Sequence, residues 1–99
     1  WNRADEWYSF DSSVRGKGFE VLATVDEASY ERGWPGSDKL AMGKDHPVIW
    51  SRCLGKGRVL YSALGHTGAS FAEPEMRRLM NNAVNWAMSD QPCQPEKLP

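Results

Sequence analysis

The stretch "HPVIWSRCLGKGRVLYSALGH", residues 46–66, constrains the fold more tightly than any other part of the chain. Two runs rich in β-branched and aromatic residues, from His46 and from Arg58, flank the connector Leu54-Gly55-Lys56-Gly57. Such side chains suit a pleated, packed surface, and a short glycine-bearing link between two of these runs predicts an antiparallel hairpin. Side chains alternate along a strand, so Val59, Tyr61 and Ala63 should share one face and Leu60, Ser62, Leu64 and His66 the other. Both faces carry apolar groups, which predicts a hairpin sandwiched between other layers. A further strand is expected over "FEVLATV", Phe19 to Val25. It has too few polar residues for a solvent-facing alternation, so burial on both faces is expected.

Downstream, "PEMRRLMNNAVNWAM" predicts an amphipathic helix beginning at Pro74, a residue suited to the first helical position because its missing N–H would have no partner there. Met76, Leu79, Met80, Ala83, Val84 and Ala87 recur at intervals of three and four and form one apolar stripe. The helix should stop near Asp90, leaving residues 91–99 as a proline-rich, solvated tail. Between the first strand and the hairpin, Asp26 to Asp45 carries glycines and charges without a period, and irregular spans of that length are often functional or partly disordered. Strands interleaved with one helix predict an α/β class. A sheet of about three strands under one helix would leave its other face bare, so a partner is expected: the rest of a larger domain, or another subunit, with a homo-oligomer among the open forms.

Composition narrows the function classes. Charged residues make up 25% of the 99 residues and the formal net charge is −1, with Lys and Arg scattered along the chain and no basic stripe, so nucleic acid is not an expected partner. No apolar run approaches the roughly 20 residues that span a bilayer, and a soluble protein is expected. The chain opens on Trp1 without a visible targeting segment, which is expected where a preceding piece has been removed or where the chain continues on its N-terminal side. Cys53 and Cys93 belong to no C-x-x-C pair; two separate thiols are the plainer reading, with a bridge left open. The absence of an N-x-S/T sequon favours a cytoplasmic over a periplasmic or secreted location.

His46 and His66 lie far apart without ligands at helical spacing, so no self-contained zinc site is expected and no cofactor is evident, a divalent metal being left open without support. The two Gly-Lys-Gly tripeptides lack the spacing of a phosphate loop and read as turns. His66 is the stronger candidate for chemistry. It closes a strand just before the flexible sequence Thr67-Gly68-Ala69-Ser70, and ligand crevices of open α/β sheets form at strand carboxyl ends. Its near-neutral reference pKa suits acid, base or metal-ligand work. A histidine that merely holds a neighbouring loop fits the position equally well. The Asp5-Glu6 pair reads from its position as solvated charge. Trp50 and Trp86 read as core, Trp7 and Trp34 as the exposed aromatics that could stack on a ring.

"DEWYSF", "HPVIWSRCLGKGRVLYSALGHTGASF" and "PEMRRLMNNAVNWAM", in that order, resemble the C-terminal half of ThuA-like (trehalose-utilisation) domains. The resemblance implies a flavodoxin-like sheet of the class I glutamine amidotransferase type, of which residues 1–90 would form the C-terminal part with its closing hairpin and final helix. It also implies a bacterial carbohydrate function on trehalose-type disaccharides or their keto forms, of hydrolase or lyase type. His66 and Glu6 would then be acid and base, and Asp5, Tyr8 and Thr67 contacts for sugar hydroxyls. The pattern departs from an amidotransferase: Gly68, not an acid, stands two residues after His66, and neither cysteine sits on a strand-to-helix elbow. A non-catalytic sugar-binding or oligomerisation module of the same fold is the alternative.

Overall fold

The computed structural model describes residues 1–31 and 33–93. Three strands, β1 (Glu20–Thr24), β2 (Pro47–Leu54) and β3 (Gly57–Ser62), form one sheet in the order β1-β2-β3, followed by a single helix, α1 (Pro74–Ala87). Both strand pairs are antiparallel. The result is a mixed α/β domain with a three-stranded antiparallel sheet and a C-terminal helix. Of the expected proline-rich tail, residues 94–99 lie outside the described residues.

The hairpin forms where the sequence places it, with Trp50 opposite Tyr61 and Ser51 opposite Leu60. Gly55 turns the chain at a φ of +57°, a left-handed conformation that glycine adopts without a Cβ clash. Register sorts the side chains. Trp50, Arg52, Val59 and Tyr61 share one face, while Ile49, Ser51, Leu60 and Ser62 share the other.

The helix covers the second face. Met76 is fully buried, and Leu79 packs with Leu60 on the core of Val25, Val48 and Ile49. The expected stripe is shifted on its C-terminal half: Trp86 packs beneath Arg58, while Val84 and Ala87 point outward. The helix ends at Ala87, with Met88 capping it, slightly before the expected Asp90.

The first face is not bare, contrary to expectation. Residues from the N-terminal segment cross it, and Phe10 meets both Trp50 and Tyr61 edge-on at 5.1 and 6.1 Å, while the Trp50 and Tyr61 rings stack at 4.4 Å. Arg52 lies over Phe19, 4.9 Å from its ring centre. The irregular segment before β1 therefore acts as a covering layer, a role that no short-range period could reveal. The burial expected for Phe19 to Val25 is also corrected. β1 starts at Glu20 and is an edge strand with a bulge between Val21 and Ala23, so Leu22 and Thr24 stay exposed.

The two cysteines are joined, which corrects the reading of separate thiols. Cys53, near the end of β2, and Cys93 stand with Cα atoms 5.7 Å apart in a disulfide. The Arg58 guanidinium helps bring them together: it donates to the Ser89 carbonyl at 2.8 Å and to the Gln91 carbonyl, holding the segment after α1 against the hairpin. Closing a loop of this length restricts the unfolded chain and so stabilises the folded one.

Candidate functional site

β3 ends at Ser62, four residues before His66, so His66 belongs to the turn that follows the strand and not to its face. Ala63 and Leu64 both pack on the core, which breaks the expected alternation. Gly65 then takes a φ of +106° and swings His66 outward. Thr67 precedes a short 3-10 turn, Gly68–Ala72, and α1 follows directly.

Asp5 sets this turn. Its carboxylate accepts from the Gly65 N–H at 2.8 Å and the His66 N–H at 3.0 Å, and also from the N–H of Glu6 at 2.8 Å. Arg3 closes the arrangement, with Nη2 at 3.0 Å from Asp5 and 3.4 Å from Glu73, the residue just before the helix. The side chains of Asp5 and Arg3 are 0% and 4% exposed. Burial opposes the charge on Asp5, but the three backbone donors and Arg3 outweigh it and hold the carboxyl below its ordinary value. Asp5 thus lies beneath the turn with its oxygens engaged.

Because Asp5 fixes both Glu6 and the His66 turn, it brings their side chains together. Glu6 Oε2 lies 2.6 Å from His66 Nδ1, with both side chains about half exposed at 50% and 57%. A carboxylate at Nδ1 accepts the proton of that nitrogen and leaves Nε2 with the lone pair. Nε2 has no protein partner among the described residues. Glu6, Tyr8, Tyr61, Ser62 and His66 line one small cavity of about 140 Å³. Thr67 does not reach it, its hydroxyl being 3.2 Å from that of Ser70.

The sequence carried no signal for Tyr61 and Ser62 as cavity residues; they enter because the end of β3 lies beside Glu6. Nor did it single out His46 and Glu27, which lie behind the site. His46 is 1% exposed, its Nδ1 2.8 Å from Glu27 Oε2 and its Nε2 2.7 Å from the carbonyl of Tyr8. Burial opposes the Glu27 charge too, but the N–H groups of Met42 and Gly43 and the His46 ring outweigh it, so this carboxyl also lies below its ordinary value.

A larger groove of about 750 Å³ runs along the β1 side, lined by Trp1, Trp7, Leu22, Tyr30 and Val48 among others. Polar and apolar groups line it almost equally, and the paired Glu6 and His66 are not part of it. Trp7 packs against Tyr30 there, at 6.3 Å between ring centres, whereas Trp34 is exposed elsewhere. Among the described residues no group of three His, Cys, Asp or Glu side chains could hold a metal ion, and no helix is long and apolar enough to cross a membrane.

Two outcomes follow from this geometry. Gly65→Ala should cost about 1–3 kcal/mol of unfolding free energy, the range for a non-glycine residue in a disfavoured backbone region. A Cβ there would stand 2.5 Å from the Phe71 ring, which is exposed enough to move aside, so backbone strain accounts for most of the loss. Urea unfolding of the two proteins checks it. Stability should also fall in acid. Asp5 and Glu27 have folded values below their ordinary 3.8 and 4.5, so the unfolded chain takes up protons first as pH drops. Their contribution is complete above the ordinary values and disappears as pH falls through the folded ones. Urea midpoints measured downward from about pH 6 should stay level and then decline below about pH 4.5, and Glu27→Gln should flatten that decline.

Comparison with known proteins agrees with the resemblance seen in the sequence. The model of the family described as ThuA, trehalose utilisation, matches residues 1–87, which includes every residue of the cavity and its supports. Neither a curated protein nor a solved structure matches the chain. With the match extending from the N-terminal covering segment through the helix, the chain belongs to the ThuA family, whose description links it to trehalose utilisation.

Proposed function

We propose that this domain processes a disaccharide of the trehalose type, or its keto form, by acid–base chemistry centred on His66. The observation that carries the reading is the 2.6 Å pairing of Glu6 with His66 Nδ1 at the cavity, which leaves Nε2 facing outward as a base. Direct glycoside hydrolysis uses two independent carboxyl groups about 5–9.5 Å apart. Here Asp5 is buried under the turn and Glu6 is committed to the imidazole, so the cavity offers one histidine and its orienting carboxylate. That set fits a lyase-type step on a keto sugar. His66 Nε2 takes the proton from the carbon between the ketone and the anomeric centre, and the C–H electron pair forms a C=C bond as the glycosidic C–O bond breaks. The resulting imidazolium then returns its proton to the departing oxygen. Tyr8 is a sugar contact in this reading, Thr67 stands outside the cavity with its hydroxyl toward Ser70, and Asp5 positions the turn. Cys53 and Cys93 offer no thiol nucleophile of the glutamine amidotransferase kind, because both form the disulfide.

The size of the cavity supports a second part of the proposal. Sites that enclose a small ligand measure about 300–1,000 Å³, and about 140 Å³ falls short of a disaccharide. The site is therefore completed by a partner, either the N-terminal half of a flavodoxin-like domain or another subunit. Among the described residues no strand pairs with the outer edge of β3, beside the cavity, and further strands could add there. The test is product analysis after incubation with trehalose and its 3-keto derivative. Cleavage of the keto sugar alone, lost in His66→Ala, supports the reading; cleavage that survives His66→Ala refutes it.

A further inference from the structure

Glu6 is held from two sides. Asp5 anchors it to the His66 turn, and Tyr8, two residues further on, is anchored through its carbonyl to His46. Both partners of the His46 ring are acceptors, a carboxylate at Nδ1 and a carbonyl at Nε2, so a ring that satisfies both donates from each nitrogen. No uncharged side chain reproduces two donors on opposite sides of a rigid ring. Glu27 in turn accepts from the N–H groups of Met42, at 2.6 Å, and Gly43, at 3.2 Å.

The contact is part of a seam. Next to the Tyr8 carbonyl, the Ser9 hydroxyl donates to the Leu40 carbonyl at 2.6 Å, and the Phe10 N–H points at Met42 Sδ at 3.4 Å. The span that looked merely irregular, Asp26 to Asp45, therefore grips the segment bearing Glu6 and Tyr8. Among the described residues that make these contacts, His46 is the fully buried polar one, whereas the Ser9 and Phe10 contacts are single and partly open to solvent.

We propose that His46, held by Glu27, is a positioning residue for the candidate site: by clamping the Tyr8 carbonyl it holds Glu6 against His66 and keeps the Tyr8 ring at the cavity. The proposal rests on reading Glu6, Tyr8 and His66 as the site, but it concerns their geometry and is tested without a substrate.

The experiment is proton NMR on the whole chain, comparing wild type with His46→Gln and Glu27→Gln. His46→Gln retains a single donor nitrogen and can hold either Glu27 or Tyr8, not both. Cross-peaks between the Glu6 methylenes and the His66 ring should be present in wild type and lost in His46→Gln, and Tyr8 ring resonances should collapse toward free-tyrosine shifts. Trp50–Tyr61 cross-peaks report that the sheet is intact, a readout that the proposed role leaves unmoved. Glu27→Gln should weaken the same Glu6–His66 peaks, and it decides the matter where His46→Gln does not fold. A folded variant with Trp50–Tyr61 and Glu6–His66 peaks both at wild-type strength overturns the proposal. Failure of the sugar reading would appear elsewhere, as a wild-type protein with the Glu6–His66 contact intact and no effect on either sugar.

Discussion

Asp5→Ala is expected to lower the unfolding free energy by about 3 kcal/mol, at the low end of the roughly 3–5 kcal/mol lost when one member of a buried ion pair is removed. Three backbone donors, from Glu6, Gly65 and His66, lose their acceptor at once. Arg3, almost fully buried, loses its nearest counter-charge. The more distant contact of Arg3 with Glu73 remains and keeps the loss from reaching the top of the range. Asp5→Asn should fall between alanine and wild type, because an amide oxygen still accepts from one N–H while the charge is gone. Urea denaturation checks the ranking. A loss of well under 1 kcal/mol in Asp5→Ala would mean that the turn before His66 is held by other means.

His66→Ala should reduce turnover of the keto disaccharide by about 10²- to 10⁴-fold, the usual contribution of a positioned acid or base. The loss should fall on kcat more than on KM, since the imidazole acts on the proton in flight and not mainly on the bound sugar. Glu6→Gln should give a smaller loss of the same kind. It leaves the histidine in place but removes the carboxylate that accepts from Nδ1. Both side chains are about half exposed, so neither change should shift stability by more than about 0.5 kcal/mol. That separation matters: Asp5 and His66 touch through one turn, yet the first should act on folding and the second on chemistry. Equal losses of stability and activity in His66→Ala would point to a histidine that only holds the loop.

What could be read in the sequence was what local pattern controls. The hairpin followed from two β-branched runs around a glycine link, and the helix from Pro74 and the spacing of Met76, Leu79, Met80 and Ala83. The meeting of Glu6 with His66 came only from their shared place in a family resemblance, since 60 residues separate them and neither belongs to a regular element. Contacts between irregular segments carry no period. For that reason the covering role of Phe10, the buried position of Asp5, and the grip of His46 on Tyr8 were not legible. The disulfide was hidden for a related reason: two isolated cysteines say nothing of proximity until the helix returns along the hairpin and Arg58 gathers the chain after it. The strand before the loop was expected to be enclosed because its residues are apolar, but its place at the sheet edge is decided by pairing, which its own residues do not encode.

The proposed chemistry requires that a sugar bind in the cavity of Glu6, Tyr8 and His66. The most direct test is a titration of the isotopically labelled protein with the 3-keto form of trehalose, followed through backbone amide resonances. Saturable shifts centred on Glu6, Tyr8, Tyr61, Gly65 and His66 are expected, and they should be lost when His66 is replaced by alanine. Saturable shifts centred instead on Trp1, Trp7, Leu22 and Tyr30 would place the ligand in the β1 groove and contradict it.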